Sequence, residues 1–380
     1  MKKYFFFAAA ALAALASCSK SPVAETTDPD EIFTGSEKYP ITFSSNVTST
    51  RVSVKGGGSV DVWNAAQTLY VYGIKRDADG ALDLTDGIQI DNIAAAAPDG
   101  VTQGAIEVYD PALSTEEEKV PFYYDNNGRY DFFGYYADDA FVEGSETPGL
   151  DVDAGTISLP VQIDGTQDVM LAYADRTAAV EGTTIDPARL YSAYGVRKGI
   201  VPNLKFEHQL SRFIFKVKKG TVKVEGEEGP QVQPGDLYIN SLSVDSYVDG
   251  VLTIVGDNRG LAIAEESDSV FLALTNRGEA IPQTLVEGEA KTLGESVMVM
   301  PGRKTYNIKF VLENAQGIRQ ETDNMSFPIL NAQKENVAAE AGKSYVITLT
   351  VYNLEEIEIN VDLTPWDEDT EPINIGEDED

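Results

Sequence analysis

The sequence predicts an all-β protein, and three observations carry that reading. Runs in which apolar and polar residues alternate recur about every ten residues, separated by Gly, Asn and Asp turns. Aromatic residues suited to pleated, half-buried surfaces are plentiful, with 18 Tyr and 15 Phe. Helical periodicity is scarce, and the best short-helix candidate is Asp186 to Tyr194. At 380 residues the chain has room for about two or three domains. The strands divide into a first folded part over 38–200 and a second over 201–366. Strands at this spacing read as sandwich sheets.

Charge and composition remove several functional classes. Lys plus Arg is 29 and Asp plus Glu is 62, a net charge of −33. Nucleic acid is excluded as a partner because phosphate binding needs a basic surface. The acidic balance suits a solvated, self-repelling extracellular surface. Cys18 and His208 are each the only residue of their type, so no intrachain disulfide can form and a Cys/His metal site is not expected. A Ser-His-Asp arrangement could use only His208, and no G-x-S-x-G elbow accompanies it. His208 lies on the apolar face of a strand, where a packed structural histidine is expected. Asp77 to Gly80 has the D-x-D-G spacing of a calcium loop, but Ile88 stands where the twelfth-position glutamate belongs, so a plain Asp-Gly turn is expected. No carboxylate pair is singled out by spacing. The chain is therefore read as a non-enzyme without metal or cofactor.

The N-terminus reads as an address. Lys2 and Lys3 precede a short apolar run from Tyr4 to Ala16, too short to span a bilayer comfortably. Leu15-Ala16-Ser17-Cys18 looks like a bacterial lipobox. That likeness implies removal of residues 1–17 and lipidation of Cys18, palmitate included, which would hold a precursor in the outer membrane. Residues 18–37 are polar and acidic and read as a tether.

The first strand follows. Ile41, Phe43 and Val47 alternate with Thr42, Ser44, Asn46 and Thr48, which puts the three apolar side chains on one buried face. Beyond it, Arg51-Val52 lies in a Ser/Thr-rich stretch followed by Lys55-Gly56-Gly57-Gly58. A basic residue in such a segment is within reach of a trypsin-like protease.

In the middle of the chain, Val120 to Tyr124 and Tyr130 to Tyr136 are expected to form a hairpin around Asp125-Asn126-Asn127-Gly128. The run YDFFGYY at 130–136 is aromatic on both faces, which reads as core. The other use for such aromatics is a sugar platform built on Tyr123, Tyr135 or Tyr136. From Leu204 the apolar residues are even-numbered up to Leu210, then odd-numbered from Phe213. That change of phase predicts a bulge near Ser211.

At the C-terminal end, Ser344 to Tyr352 reads as a strand and Asn353-Leu354-Glu355 as a turn. Glu356 to Trp366 then alternates strictly, with Ile357, Ile359, Val361 and Leu363 on one face. Residues 367–380 form an acidic tail.

Taken together, the lipobox, the ITFSS…TR strand with Arg51, the Trp63…Val71-Tyr72 run, FEHQLSRFIFKV at 206–217 and the closing strand to Pro365-Trp366 resemble the fimbrillin-like pilins of Bacteroides-type bacteria. These are the Mfa/FimA-type subunits of type V pili. Members often carry Gly-Asp after the Trp, where this chain has Asn64-Ala65-Ala66-Gln67. The resemblance implies two transthyretin-like (Greek-key) β-sandwich domains in tandem. The first has a removable strand over 40–51 and the second a closing hairpin over 344–366. It also implies export as a lipoprotein, and cleavage between Arg51 and Val52 by an Arg-specific, gingipain-like protease. The groove left by Ile41, Phe43 and Val47 would be filled by a donor strand from another subunit, assigned to Ile357, Ile359, Val361 and Leu363. The implied partners are further pilin subunits, as a homopolymer with tip and anchor subunits, in an adhesive cell-surface fimbria. A shaft role is expected. The alternatives are the anchor or tip of the same pilus, or a glycan-binding surface lipoprotein.

Overall fold

Residue 134 of the aromatic run is a glycine, and the reason lies in a ring that reaches it from two strands away. A Cβ there would come within 3.2 Å of the Phe206 ring. The strand Tyr130–Tyr136 is buried along its whole length. Tyr130, Phe132 and Tyr136 point into one apolar cluster, and Phe133 and Tyr135 into another on the opposite face. Period-2 geometry with aromatics on both faces thus makes this a central strand covered on both sides. Tyr135 and Tyr136 are 0% and 4% exposed, so the expected alternative use of these two as a sugar platform is corrected: neither ring face is available.

The computed structural model describes residues 37–47, 63, 66–176, 185–221, 231–275 and 283–364, with the backbone alone for Val47 and Asp323. These residues are nearly all β, with twenty-one strands and the short helical segments Pro187–Arg189 and Ala193–Arg197. Seven strands form the first sheet. They are β1 (Phe43–Val47), β2 (Thr68–Lys75), β3 (Ile88–Ala96), β4 (Gln103–Ile106), β5 (Tyr130–Tyr136), β8 (Met170–Ala174) and β9 (Asn203–His208). Their order across the sheet is β3-β2-β5-β8-β9-β1-β4. A smaller sheet has the order β13-β12-β7-β6, built from β6 (Gly149–Asp151), β7 (Thr156–Gln162), β12 (Asp249–Val255) and β13 (Gly260–Ile263). Leu159, Val161, Leu252 and Ile254 of this sheet pack with Tyr72, Ile74, Phe133 and Tyr135 of the first.

The remaining strands make two further sheets around another core. One runs β16-β10-β20-β21, with β17 also on β10, from β10 (Ser211–Lys219), β16 (Lys291–Thr292), β17 (Val297–Val299), β20 (Ser344–Val351) and β21 (Ile357–Thr364). The other runs β14-β11-β18-β19, with β15 on β11. Its strands are β11 (Leu237–Tyr247), β14 (Ser269–Ala273), β15 (Gln283–Thr284), β18 (Thr305–Asn314) and β19 (Arg319–Pro328). In β18 the residues Tyr306, Ile308, Phe310 and Leu312 alternate inward against Phe213, Phe215, Tyr345 and Ile347. This is sandwich-type packing of two inner faces.

Three local expectations differ from what is observed. The change of phase after Leu210 is not a bulge within one strand. β9 pairs with β8 and β1, whereas β10 pairs with β17, β20 and β16 in another sheet. The chain crosses between sheets at Gln209-Leu210, and the inward parity resets because the core has changed. Residues 120–124 do not pair with β5. Pro121 bridges Tyr109 and Tyr123 bridges Pro40, because both edges of β5 are already taken by β2 and β8. The helical candidate at 186–194 divides into a 3₁₀ turn, Pro187–Arg189, capped by Asp186, and helix α1, Ala193–Arg197, capped by Ser192. Asp77 to Gly80 forms a hairpin turn, Gly80 at φ 87°, with the Asp77 carboxylate accepting from the Ala81 N–H.

Hydrogen bonding also crosses residue 200. β9 lies in the first sheet, and β12, from still further along the chain, pairs with β7 from Asp249↔Gln162 to Val255↔Ile157. The described residues from Glu37 onward form one compact unit.

Candidate functional site

The removable-strand candidate occupies an interior position. β1 runs parallel to β9, with Ser44 opposite Asn203 and Asn46 opposite Lys205, and antiparallel to β4, with Phe43 opposite Ile106. Ile41 and Phe43 are each 1% exposed. The Phe43 ring meets Phe132 edge-to-face at 4.9 Å, within the range where aromatic pairs add to burial. Alternation also turns Ser45 inward; it is 0% exposed and its hydroxyl donates to the Gly104 carbonyl at 3.1 Å. Val47 continues the strand opposite Phe206. On the outer face the Ser44 hydroxyl donates to Asn203 Oδ1 at 3.2 Å. Before the strand, the Ile41 N–H donates to the Phe122 carbonyl at 2.8 Å. β4 ends the sheet and is joined to it through β1. Taking β1 away would therefore expose the edge of β9 and leave β4 without its ladder.

The donor candidate occupies the opposite kind of position. β21 pairs with β20 over eight residues, from Ser344↔Thr364 to Val351↔Ile357, and closes the order of its sheet. Its inward row is shallow. Val361 is buried, Ile357 and Ile359 are partly buried against the core, and Leu363 is 37% exposed. Glu358, Asn360 and Asp362 face solvent, which is how natural edge strands avoid unwanted pairing. Lys334 holds this edge: its ammonium donates to the Val361 carbonyl at 3.1 Å and pairs with the Asp362 carboxylate.

Cys18, Arg51, Val52 and the tail 367–380 lie outside the described residues. Lys334 gave no signal in the sequence, since it meets Asp362 only through long-range pairing.

Beside β9 is a buried polar cluster. His208 Nδ1 lies 2.9 Å from Asp168 Oδ1, and both side chains are buried. Asp138 accepts from the Tyr136 hydroxyl at 2.6 Å and from the Asp168 N–H at 3.2 Å. Burial, with Asp168 and Asp139 adding negative potential, pushes the Asp138 carboxyl up to about 6. His208 is thus a packed, paired residue at the end of a strand. Among the described residues there is no cluster of His, Cys, Asp and Glu suited to a metal ion. No helix among them is long and apolar enough to cross a membrane.

The geometry of the described residues defines an all-β protein whose first strand lies inside a sheet, next to its edge strand β4, and whose last strand lies at an edge. The chain belongs to the fimbrillin-like family, whose model matches residues 50–366. Among solved structures it is similar to a protein described as a cell adhesion protein from Bacteroides uniformis (14% identity, TM-score 0.46, covering 87% of this chain and 98% of that one). A second, from Bacteroides ovatus and described in the same words, shows 15% identity and TM-score 0.46 over 87% and 98% of the two chains. The tip fimbrial protein Mfa3 from Porphyromonas gingivalis, with C-terminal truncation, shows 9% identity and TM-score 0.37 over 86% and 100%. No curated protein matches the chain.

Proposed function

We propose that the chain is a shaft subunit of a type V fimbria. It is exported to the outer membrane as a lipoprotein through Cys18 and cut after Arg51 by an Arg-specific protease. It then polymerises when β21 of a neighbour takes the place of β1. In this reading it has two transthyretin-like sandwiches in tandem, the first around β5 and the second around β18, and works in adhesion beside tip and anchor subunits.

The observation that carries the reading is the contrast between the two strands. β1 lies between β9 and β4 with Ile41 and Phe43 fully buried. Burying each such side chain is worth about 1.5–3 kcal/mol, so β1 leaves neither spontaneously nor without consequence. Cutting the chain after it changes that, because the strand is then held only by non-covalent contacts. β21 offers four inward positions at the same two-residue spacing, and at the edge of its sheet it has a ladder on one side only to give up. A head-to-tail contact of this kind does not close and so builds a filament.

The test is the intact mass and N-terminal sequence of the protein sheared from cells, beside the membrane-bound form. A surface species beginning at Val52 inside SDS-resistant ladders is expected, and Arg51→Ala should abolish the ladder. A lipidated species beginning at Cys18 in both fractions, with no ladder, would refute the cleavage-and-exchange reading.

A further inference from the structure

We propose that Lys205 sets the register of the incoming strand by pairing with Asp362 of a second copy. This rests on the exchange reading above and adds to it the residues that decide where the donor stops. In the resident sheet, Ile41, Phe43 and Ser45 form the inward row and Thr42, Ser44 and Asn46 the outward row. Asn46 lies opposite Lys205. Being neutral, it offers Lys205 no charge across the strands. The ammonium instead meets Glu207 of its own strand at 2.9 Å, with both side chains about half exposed.

β21 carries the same two rows, Ile357, Ile359, Val361 and Leu363 against Glu358, Asn360 and Asp362. Laid in the direction of β1, with Ile357 on the place of Ile41, it puts Val361 on that of Ser45 and Asp362 on that of Asn46. A carboxylate then stands directly opposite Lys205. A slip of two residues either way keeps the aliphatic row inward, so burial alone does not choose among these registers. Charge does: the slips bring Asn360 or Thr364 opposite Lys205. Opposite charges placed directly across a strand pair stabilise it and like charges destabilise it.

The Lys205 side chain is open to solvent, 49% exposed. Lys205 lines an open groove of about 840 Å³ with Tyr173, Asn203, Asp257 and Arg259, on the face of β9 away from the core containing Phe206. At home Asp362 is paired with Lys334, so in the transfer it exchanges one ammonium for another.

The experiment uses the full chain, cut with an arginine-specific protease, with SDS-resistant ladders followed in time. Lys205→Glu and Asp362→Lys should each slow ladder growth roughly tenfold, and the two together should restore it to within about threefold. A trapping measurement guards against a variant that folds poorly. Cys18, the chain's only cysteine, precedes the cut, so Lys205→Cys mixed with Asp362→Cys should give a single intermolecular disulfide on oxidation. Ladders indifferent to both charge reversals, or a disulfide that forms with Glu358→Cys in preference to Asp362→Cys, would overturn this pairing while leaving strand exchange standing. Wild-type chain that is cut but builds no ladder would overturn the exchange reading and this proposal with it.

Discussion

Lys334 holds Val361 from the side: its ammonium donates to the Val361 carbonyl at 3.1 Å while pairing with the neighbouring Asp362 carboxylate. It does so from a tight loop in which its own backbone is left-handed, at φ 63°. Both charged side chains are more than half exposed, so the ion pair itself is worth at most about 1 kcal/mol. Its effect is local, because β21 has a ladder on one side only. Lys334→Met, which keeps the backbone and the stem, should leave the global unfolding transition within about 1 kcal/mol of wild type. Amide hydrogen exchange across Ile357–Thr364 should quicken at least several-fold. Unchanged protection in that segment would show that Lys334 does not hold the strand.

Phe43 and Leu363 belong to inward rows of similar appearance in the sequence, and the structure separates them. Phe43 is 1% exposed and stacked edge-to-face on Phe132, whereas Leu363 is 37% exposed. Phe43→Ala in the uncut chain should cost about 3–5 kcal/mol in urea unfolding. Leu363→Ala should cost less than about 1 kcal/mol. Equal losses at the two positions would contradict the difference in burial on which the donor and acceptor roles rest.

That contrast also shows what the sequence could and could not supply. The inward faces of β1 and β18 follow from period-2 alternation alone, and Ile41, Phe43, Tyr306 and Ile308 point where the pattern puts them. The depth to which a side chain is buried depends on what lies over it, and Leu363 alternates correctly at the end of an edge strand with little above it. Pairing is equally silent in the sequence. Nothing local tells Ser44 that it will lie beside Asn203, or takes Asp249–Val255 back to pair with Thr156–Gln162. The same limit turned a crossing between sheets at Gln209-Leu210 into an expected bulge, since either event shifts parity by one. The Lys334–Asp362 pair depends wholly on such long-range pairing.

Asp138 makes stability depend on pH in an unusual direction for a carboxylate. Its carboxyl is raised from the ordinary 3.8 to about 6, chiefly by burial. Between those values the folded state holds a proton that the unfolded chain has released. The folded state therefore binds more protons, and stability falls as pH rises through that window. The contribution is about 1–3 kcal/mol, present below the unfolded value and lost as pH passes about 6. Asp138→Asn should remove this component, so the variant should gain on wild type as pH rises from about 4 to about 6.5. Parallel stability curves for the two proteins over that range would show that Asp138 is not the group responsible.

Asp131 bridges two guanidiniums. Its carboxylate is 1% exposed and pairs with both Arg76 and Arg176, which are 26% and 13% exposed. Arg176 also donates to the Tyr130 carbonyl at 2.6 Å, and burial lowers its pKa, with the Asp131 charge acting against that effect. Asp131→Asn keeps the shape and removes the charge, leaving two partly buried cations side by side. Breaking a buried pair by removing one partner costs about 3–5 kcal/mol, and the exposure of Arg76 places the expected loss near the lower end, about 3 kcal/mol. The loss should persist in high salt, since partly buried charges are screened far less than surface ones. Adding Arg176→Met should recover part of it, because the variant then carries one unneutralised guanidinium instead of two. A loss that vanished in high salt, or a double variant less stable than Asp131→Asn, would mean that the bridge acts as a surface ion pair and does not hold β5 against the β2–β3 turn.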